Sequence, residues 1–203
     1  VDIAGAVATD AAGNGNTAAT QFSIQYDATL PTVAITSGAS DPTNTSPFSI
    51  TVTFSEAMTG FALGDLTIGN GVASNLATSN NIVFTADITP TADGTVTVDI
   101  AGAVATDAAG NGNTVATQFS IQYDATLPTV AITTAASNPT GTSPFSITVT
   151  FSEAMTGFAL GDLTIGNGVA SNLATSNNIV FTADITLSLY THLRAHETKA
   201  NLV

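Results

Sequence analysis

Any chemistry in this chain has to be done by oxygen. Residues 1–186 carry 14 carboxylates, 12 Asp and 2 Glu, and no Lys, Arg or His. His192, Arg194, His196 and Lys199 all fall within the last 17 of the 203 residues. Carboxylates, side-chain amides and hydroxyls are hard donors, and their natural partner is a hard cation such as Ca²⁺, which takes about six to eight oxygen ligands. The candidate metal ligands form two sets. One is Asp27, Glu56, Asp107, Asn111 and Asn113, and the other is Asp93, Asp124 and Glu153. Asp, Asn and Gly are also the residues that turns use, so a plain-turn reading of 107–113 stands beside the metal reading. The run Asp107-Ala108-Ala109-Gly110-Asn111-Gly112-Asn113 matches neither the EF-hand loop nor the glycine-rich calcium repeat of parallel β-rolls.

What is missing excludes whole classes of function. With no cation in residues 1–186, phosphate neutralisation and hence nucleic-acid binding is ruled out for that region. So are a Ser-His-Asp triad and a lysine Schiff base. The chain has no cysteine, so it has no disulfide, no thiolate nucleophile and no Cys-ligated metal, a usage compatible with an extracellular bacterial protein. Mean hydropathy is +0.34, yet no run of about 18 apolar residues is present to enter a membrane. Two opposed carboxylates can hydrolyse a glycosidic bond, but no insertion breaks the pattern described next to form a cleft, so no catalysis is expected.

The elements that must position these groups follow from a repeat. Residues 1–89 align without a gap on 98–186, an offset of 97, with 84 of 89 positions identical. The five differences are at 18/115, 37/134, 38/135, 41/138 and 44/141. A period of this length is domain-sized, unlike the shorter solenoid units that lean on their neighbours. Within one period Val, Ile, Thr and Phe alternate with polar residues in short runs, which is strand patterning. Seven strands are expected at 32–36, 48–54, 65–68, 72–77, 81–88, 95–101 and 116–123. Ile50, Val52 and Phe54 should face inward, as should Ile82, Phe84, Ala86 and Ile88, then Val96, Val98 and Ile100, then Phe119, Ile121 and Tyr123. Gly69-Asn70-Gly71 reads as a hairpin turn. It is not a nucleotide loop, because no helix follows it. The fold class is therefore all-β: tandem immunoglobulin-like Greek-key sandwiches, seven strands per module.

That topology sorts the candidate ligands. The loops after strands two, four and six share one pole with the segment leading into strand one. This pole collects Asp27, Glu56, Asp107, Asn111 and Asn113. The opposite pole carries the turn with Asp93, which at a module junction could approach Asp124 and Glu153. Asp65 is read as a strand start, and Asp87 and Asp99 as solvent-facing.

The unit resembles the bacterial Ig-like repeats of large surface adhesins and secreted repeat proteins. The resemblance is carried by Val52-Thr53-Phe54-Ser55-Glu56-Ala57-Met58-Thr59-Gly60-Phe61, by Asp93-Gly94-Thr95-Val96-Thr97-Val98, and by Thr106-Asp107-Ala108-Ala109-Gly110-Asn111-Gly112-Asn113. It covers residues 1–186 and implies an extracellular or cell-surface array. On this map residues 1–26 are the last two strands of a preceding module, 27–124 a complete module with its linker, and 125–186 the first five strands of the next. The chain starts mid-pattern and reads as an internal fragment. After Thr186 the repeat is lost, and 187–203 resembles a translated sequencing adapter. His192 and His196 in that tail are four apart, but their order is not that of the zinc proteases, and the tail is set aside as non-native.

The leading functional reading is a structural spacer, the stalk of a surface adhesin. Two others stand beside it: a glycan- or protein-binding adhesion module, and an ancillary domain of a secreted enzyme. The absence of Trp weighs against sugar stacking. Expected partners are neighbouring repeats of the same chain and a surface ligand engaged through a terminal domain elsewhere, with a monomer in dilute solution.

Overall fold

The structure is a computed structural model and describes residues 1–188. It divides into two compact units, Val1–Thr126 and Leu127–Val203. The first contains β1 (Val33–Ser37), β2 (Phe48–Phe54), β3 (Leu66–Gly69), β4 (Gly71–Thr78), β5 (Val83–Pro90), β6 (Gly94–Ile100) and β7 (Phe119–Tyr123). The second contains β8 (Val130–Thr134), β9 (Phe145–Phe151), β10 (Gly168–Thr175) and β11 (Val180–Leu187). All strand pairs are antiparallel.

In the first unit one sheet has the order β1-β2-β5-β4 and the other β3-β6-β7. This is the two-sheet arrangement of a seven-strand immunoglobulin-like sandwich. Period-two alternation builds the core between them. Phe48, Ile50, Val52 and Phe54 of β2, Phe84, Ala86 and Ile88 of β5, and Val96, Val98 and Ile100 of β6 are all buried. Burying a Val or Ile side chain contributes roughly 1.5–3 kcal/mol, so the three on β6 make it a major contributor to stability. Phe54, Phe61 and Phe84 form an edge-to-face triad with centroids 5.0–5.8 Å apart. The triad pins the loop after β2 onto the sheet.

Two local expectations need correction. Gly69-Asn70-Gly71 does not close a hairpin. β3 pairs with β6 and β4 with β5, so the chain changes sheets there, with Asn70 at φ 56°. Asn70 Oδ1 accepts from Thr91 Oγ1 and its Nδ2 donates to Ala92 O. The fifth strand starts at Val83, not 81, because Asn81 is left-handed at φ 57° and Asn80 Oδ1 takes the backbone N–H groups of Ile82 and Val83.

The second unit repeats the first sequence in a different setting. Its sheet is β10-β11-β9-β8, and Phe151, Phe158 and Phe181 rebuild the aromatic triad at 5.0–5.8 Å. Among its described residues no strand corresponds to β6 or β7. Leu163–Gly166 repeats β3 residue for residue yet forms no strand, against the five strands expected there. A lone strand has no ladder partner, so its backbone groups gain nothing by extending. The loss falls on the edge strand: β8 is exposed along its length, with Val130 57% and Ile132 63% accessible, while Ile147 and Val149 of β9 and Phe181, Ala183 and Ile185 of β11 stay buried, packed with Phe158, Leu163 and Ile165.

Native-state hydrogen exchange should show the difference. Amides of β9 and β11 should exchange much faster than those of β2 and β5, whose sequences are the same but for Pro90 and Leu187. Equal protection of the two sets would refute the view that the second sheet sustains the first.

Candidate functional site

The loop between β6 and β7 is built by two side chains. Asp107 Oδ1 accepts from the backbone N–H of Ala109 and of Asn111, both at 2.8 Å, and its Oδ2 accepts from Asn111 Nδ2 at 2.9 Å. Asn113 Oδ1 accepts from Ala105 N at 3.0 Å, while its Nδ2 donates to Ala101 O and Thr114 O. Both are buried, at 4% and 3% accessibility. Asn113 thus uses both amide protons and its oxygen within the loop and acts as a structural peg. Gly110 supplies φ +92° in the turn. Residues 1–26 form no strand but close the same knot. Asp10 accepts from Ala12 and Asn14, and Asn16 from Val7 and Ala8. The loop geometry is therefore locally encoded, which is the plain-turn reading made concrete.

The fold then brings three of the five candidate ligands of this pole together. Asp27 precedes β1, Glu56 follows β2 and Asp107 lies between β6 and β7. Each offers a carboxylate oxygen within 4.8 Å of the others. Asn111 stands beside them, donating to Asp27 O as well as to Asp107. Partial burial pushes the Glu56 carboxyl above its ordinary range, and the charges of Asp107 and Asp27 push it further. Asp107 moves the other way, held low mainly by the Asn111 amide and the backbone N–H groups of its loop. Three carboxylates with no cation to balance them repel one another. Ca²⁺–oxygen distances of about 2.3–2.6 Å place ligands on opposite sides of an ion about 5 Å apart, and the observed spread fits within that.

At the opposite pole Asp93 holds backbone. Its Oδ1 accepts from Ala125 N at 2.9 Å and its Oδ2 from the hydroxyl of Thr126. The Thr126 bond is the largest cause of its lowered pKa, with Ala125 N second. Asp124 accepts from Thr126 N at 3.0 Å. Glu153 belongs to the second unit and is exposed. Sequence reasoning did not find Thr126, which lies 33 residues from its partner and carries no signal beyond its place in a repeated linker. It also did not find Thr114, whose N–H and hydroxyl both donate to Pro31 O at the incoming linker. Asp65 closes the short 3-10 turn before β3 by accepting from Ala62 N.

Comparison with known proteins gives one family. The model of the bacterial Ig-like domain matches residues 27–123 and again 124–193. No curated protein matches the chain. No solved structure matches it either.

Two substitutions separate the roles assigned here. Asn113→Ala leaves Ala105 N, Ala101 O and Thr114 O without partners inside the loop, a loss of about 1–3 kcal/mol for an unsatisfied buried group, read as a lower thermal midpoint. Glu56→Gln should raise the midpoint at neutral pH in the presence of a chelator, because a carboxylate with a raised folded pKa is penalised when ionised. That gain should disappear as pH falls through the raised pKa and below the ordinary Glu range, where both states are protonated. A Gln variant with no gain at neutral pH would remove the repulsion argument.

Proposed function

The chain belongs to the bacterial Ig-like domain family, and from that premise we propose that its repeats are structural spacers in an extracellular bacterial repeat protein, the stalk of a surface adhesin. The observation that carries this reading is that the first unit grips the linker at both poles. Pro31 and Asp27 on the incoming side are held by Thr114 and Asn111. Ala125 and Thr126 on the outgoing side are held by Asp93. A module that fixes the direction in which its chain arrives and leaves can set the line of an array. The fixed φ of Pro31 stiffens the joint further. Near-identical copies suit a spacer, which gains length by repetition. Members of this family commonly occur in surface and extracellular proteins, and among the described residues no helix is long and apolar enough to cross a membrane. Scattering from arrays of increasing copy number should give a maximum dimension that grows by a constant increment per repeat. A dimension that plateaus would overturn the spacer reading.

We also propose that the pole formed by Asp27, Glu56 and Asp107 takes Ca²⁺, with Asp27 tying the incoming linker to the two loops. The support is the 4.8 Å grouping of three hard donors. Calcium should raise the midpoint of thermal unfolding relative to chelator, since a ligand bound only by the folded state must stabilise it. Glu56→Gln should lose that increment. A midpoint indifferent to calcium would leave Asp107 and its neighbours as turn residues alone.

A further inference from the structure

The outgoing end of the first unit is held by a stretch that continues β1. After Ser37 the chain turns through Gly38, Ala39 and Ser40 and lies along the outer edge of β7 as a strap, Asp41-Pro42-Thr43. Thr43 N donates to Gln122 O at 2.9 Å, and Asp124 N donates to Thr43 O at 3.0 Å. Asp41 Oδ1 accepts from Gln122 N at 2.9 Å. Thr43 bridges Tyr123 in parallel, whereas β6 pairs with β7 antiparallel. Thr43 is buried, at 3% accessibility.

The corner that leads into the strap is built locally. Ala39 N donates to Ser37 Oγ, Ser40 Oγ to Pro42 O and Thr45 N to Thr43 Oγ1. Ala39 also packs on the core. The second repeat rebuilds the same three bonds with Thr134, Ser137, Pro139 and Thr140. Four of the five positions at which the repeats differ fall between 37 and 44, yet the groups that shape the corner persist. Thr134 bonds Ser146 O as Ser37 bonds Ser49 O. Asn138 keeps a side-chain oxygen where Asp41 has one, and Pro42 and Thr43 recur as Pro139 and Thr140.

Strand direction decides what the strap carries. β1 runs from the pole of Asp27 toward the pole of Asp93. β7 runs the same way and ends at the outgoing linker, where Asp93 holds Ala125. A pull on the two linkers therefore draws β1 toward one pole and β7 toward the other, each along its own axis. One path for that tension runs from β1 through the corner to Thr43, across to Gln122 and Asp124, and out. It bypasses residues 44–121, which hold β2 to β6 and the buried core. The three bonds of the strap lie side by side along β7, so a pull along the strand loads them together rather than one after another. One of the three is to a carboxylate, the stronger kind.

We propose that Asp41-Pro42-Thr43 is a load-bearing latch. It passes tension from β1 directly to the outgoing linker, so that the sandwich stays folded under a pull that draws β7 away from β6. Tension along the chain presupposes the spacer role proposed above; the latch itself is a property of this unit and is tested without that role.

The chain has no cysteine, so introduced pairs define the points of attachment for single-molecule pulling on the whole chain. The pair Ala28→Cys and Ala125→Cys loads the strap. The pair Ser79→Cys and Ala108→Cys lies at the incoming pole and takes hold of β5 and β6 without the strap. All four positions are exposed. The first tether should rupture at the higher force. Forced unfolding reports the unfolding rate under load, so Asp41→Ala should lower the rupture force of the first tether and leave that of the second unchanged. Asp41→Asn keeps the acceptor and should retain most of the parent's force. Equal rupture forces for the two tethers in the parent would overturn the latch, with no substitution in the strap required. So would an Asp41→Ala chain that weakens both tethers alike, since that marks a general loss of stability. Equal forces together with a constant scattering increment per repeat would remove the latch and leave the spacer reading standing.

Discussion

The β3-β6-β7 sheet, and the cover it gives to β1 and to the loop after β2, depends on the pairing and burial of β6. It is the middle strand of its sheet, paired to β3 on one side and β7 on the other, and Val96, Val98 and Ile100 reach the centre of the core with no exposed surface. The two copies of the repeat act as a controlled comparison. Where β6 is present, Leu66–Gly69 is a strand, Met58 and Phe54 are buried and β1 is half covered. In the second unit, where no described residue plays its part, the same letters give an irregular Leu163–Gly166, a partly exposed Met155 and Phe151, and a bare β8. The four-stranded sheet persists in both. Its strands pair with one another and its phenylalanine triad packs without help from the opposite sheet.

The charge composition sets how the surface and loops are held. With no Lys, Arg or His before residue 187, no carboxylate of residues 1–186 has a cationic side chain of that region to pair with, and the acids are used as hydrogen-bond acceptors. Asp107 and Asp10 organise turns, Asp93 holds the outgoing linker, Asp99 takes both oxygens' worth of bonding from Gln118, and Asp87 and Asp184 accept from bulge asparagines. Hydrogen bonds to a charged acceptor are the stronger ones, so a surface without salt bridges is not a surface without order. The consequence is directional. A carboxylate held low by donors loses that contribution as pH falls, whereas Glu56, pushed up by burial and by Asp107 and Asp27, is relieved by the same change.

Much of this was legible in the sequence because the determinants are local or periodic. Alternation placed the inward residues of β2, β5, β6 and β7. The Greek-key order of the two sheets then sorted the loops into two poles and brought Asp27, Glu56 and Asp107 to one of them. Reading failed where long-range pairing decides. Whether Leu163–Gly166 is a strand depends on a partner far along the chain, and a window cannot see it. Gly69-Asn70-Gly71 looked like a hairpin because its residues suit any tight turn, and only the partners β5 and β6 reveal a change of sheet. Asn113 looked like a ligand for the same reason that it is a good peg, since one amide both donates and accepts. The tail 189–203, with the histidines and both cations, lies outside the described residues.

Near-identity between repeats carries a hazard that the loop chemistry mitigates. When 84 of 89 residues are shared, the closing hairpin of one repeat fits the sheet of any other, and misassembly between neighbours is a characteristic failure of such arrays. The hairpin that must choose its sheet is the one with the most self-contained hydrogen bonding. Asp10-Asn14-Asn16 and Asp107-Asn111-Asn113 close it with contacts no more than 12 residues apart. Loop closure over so short a span is entropically cheap, so the knot can form before either arm finds a sheet. The arm that follows then leads directly into the next linker, and its residues Ile121 and Tyr123 sit one strand from the β6 with which they pair. Local closure thus ties each hairpin to its own repeat by proximity rather than by sequence, which is the one form of discrimination available when the sequences are the same.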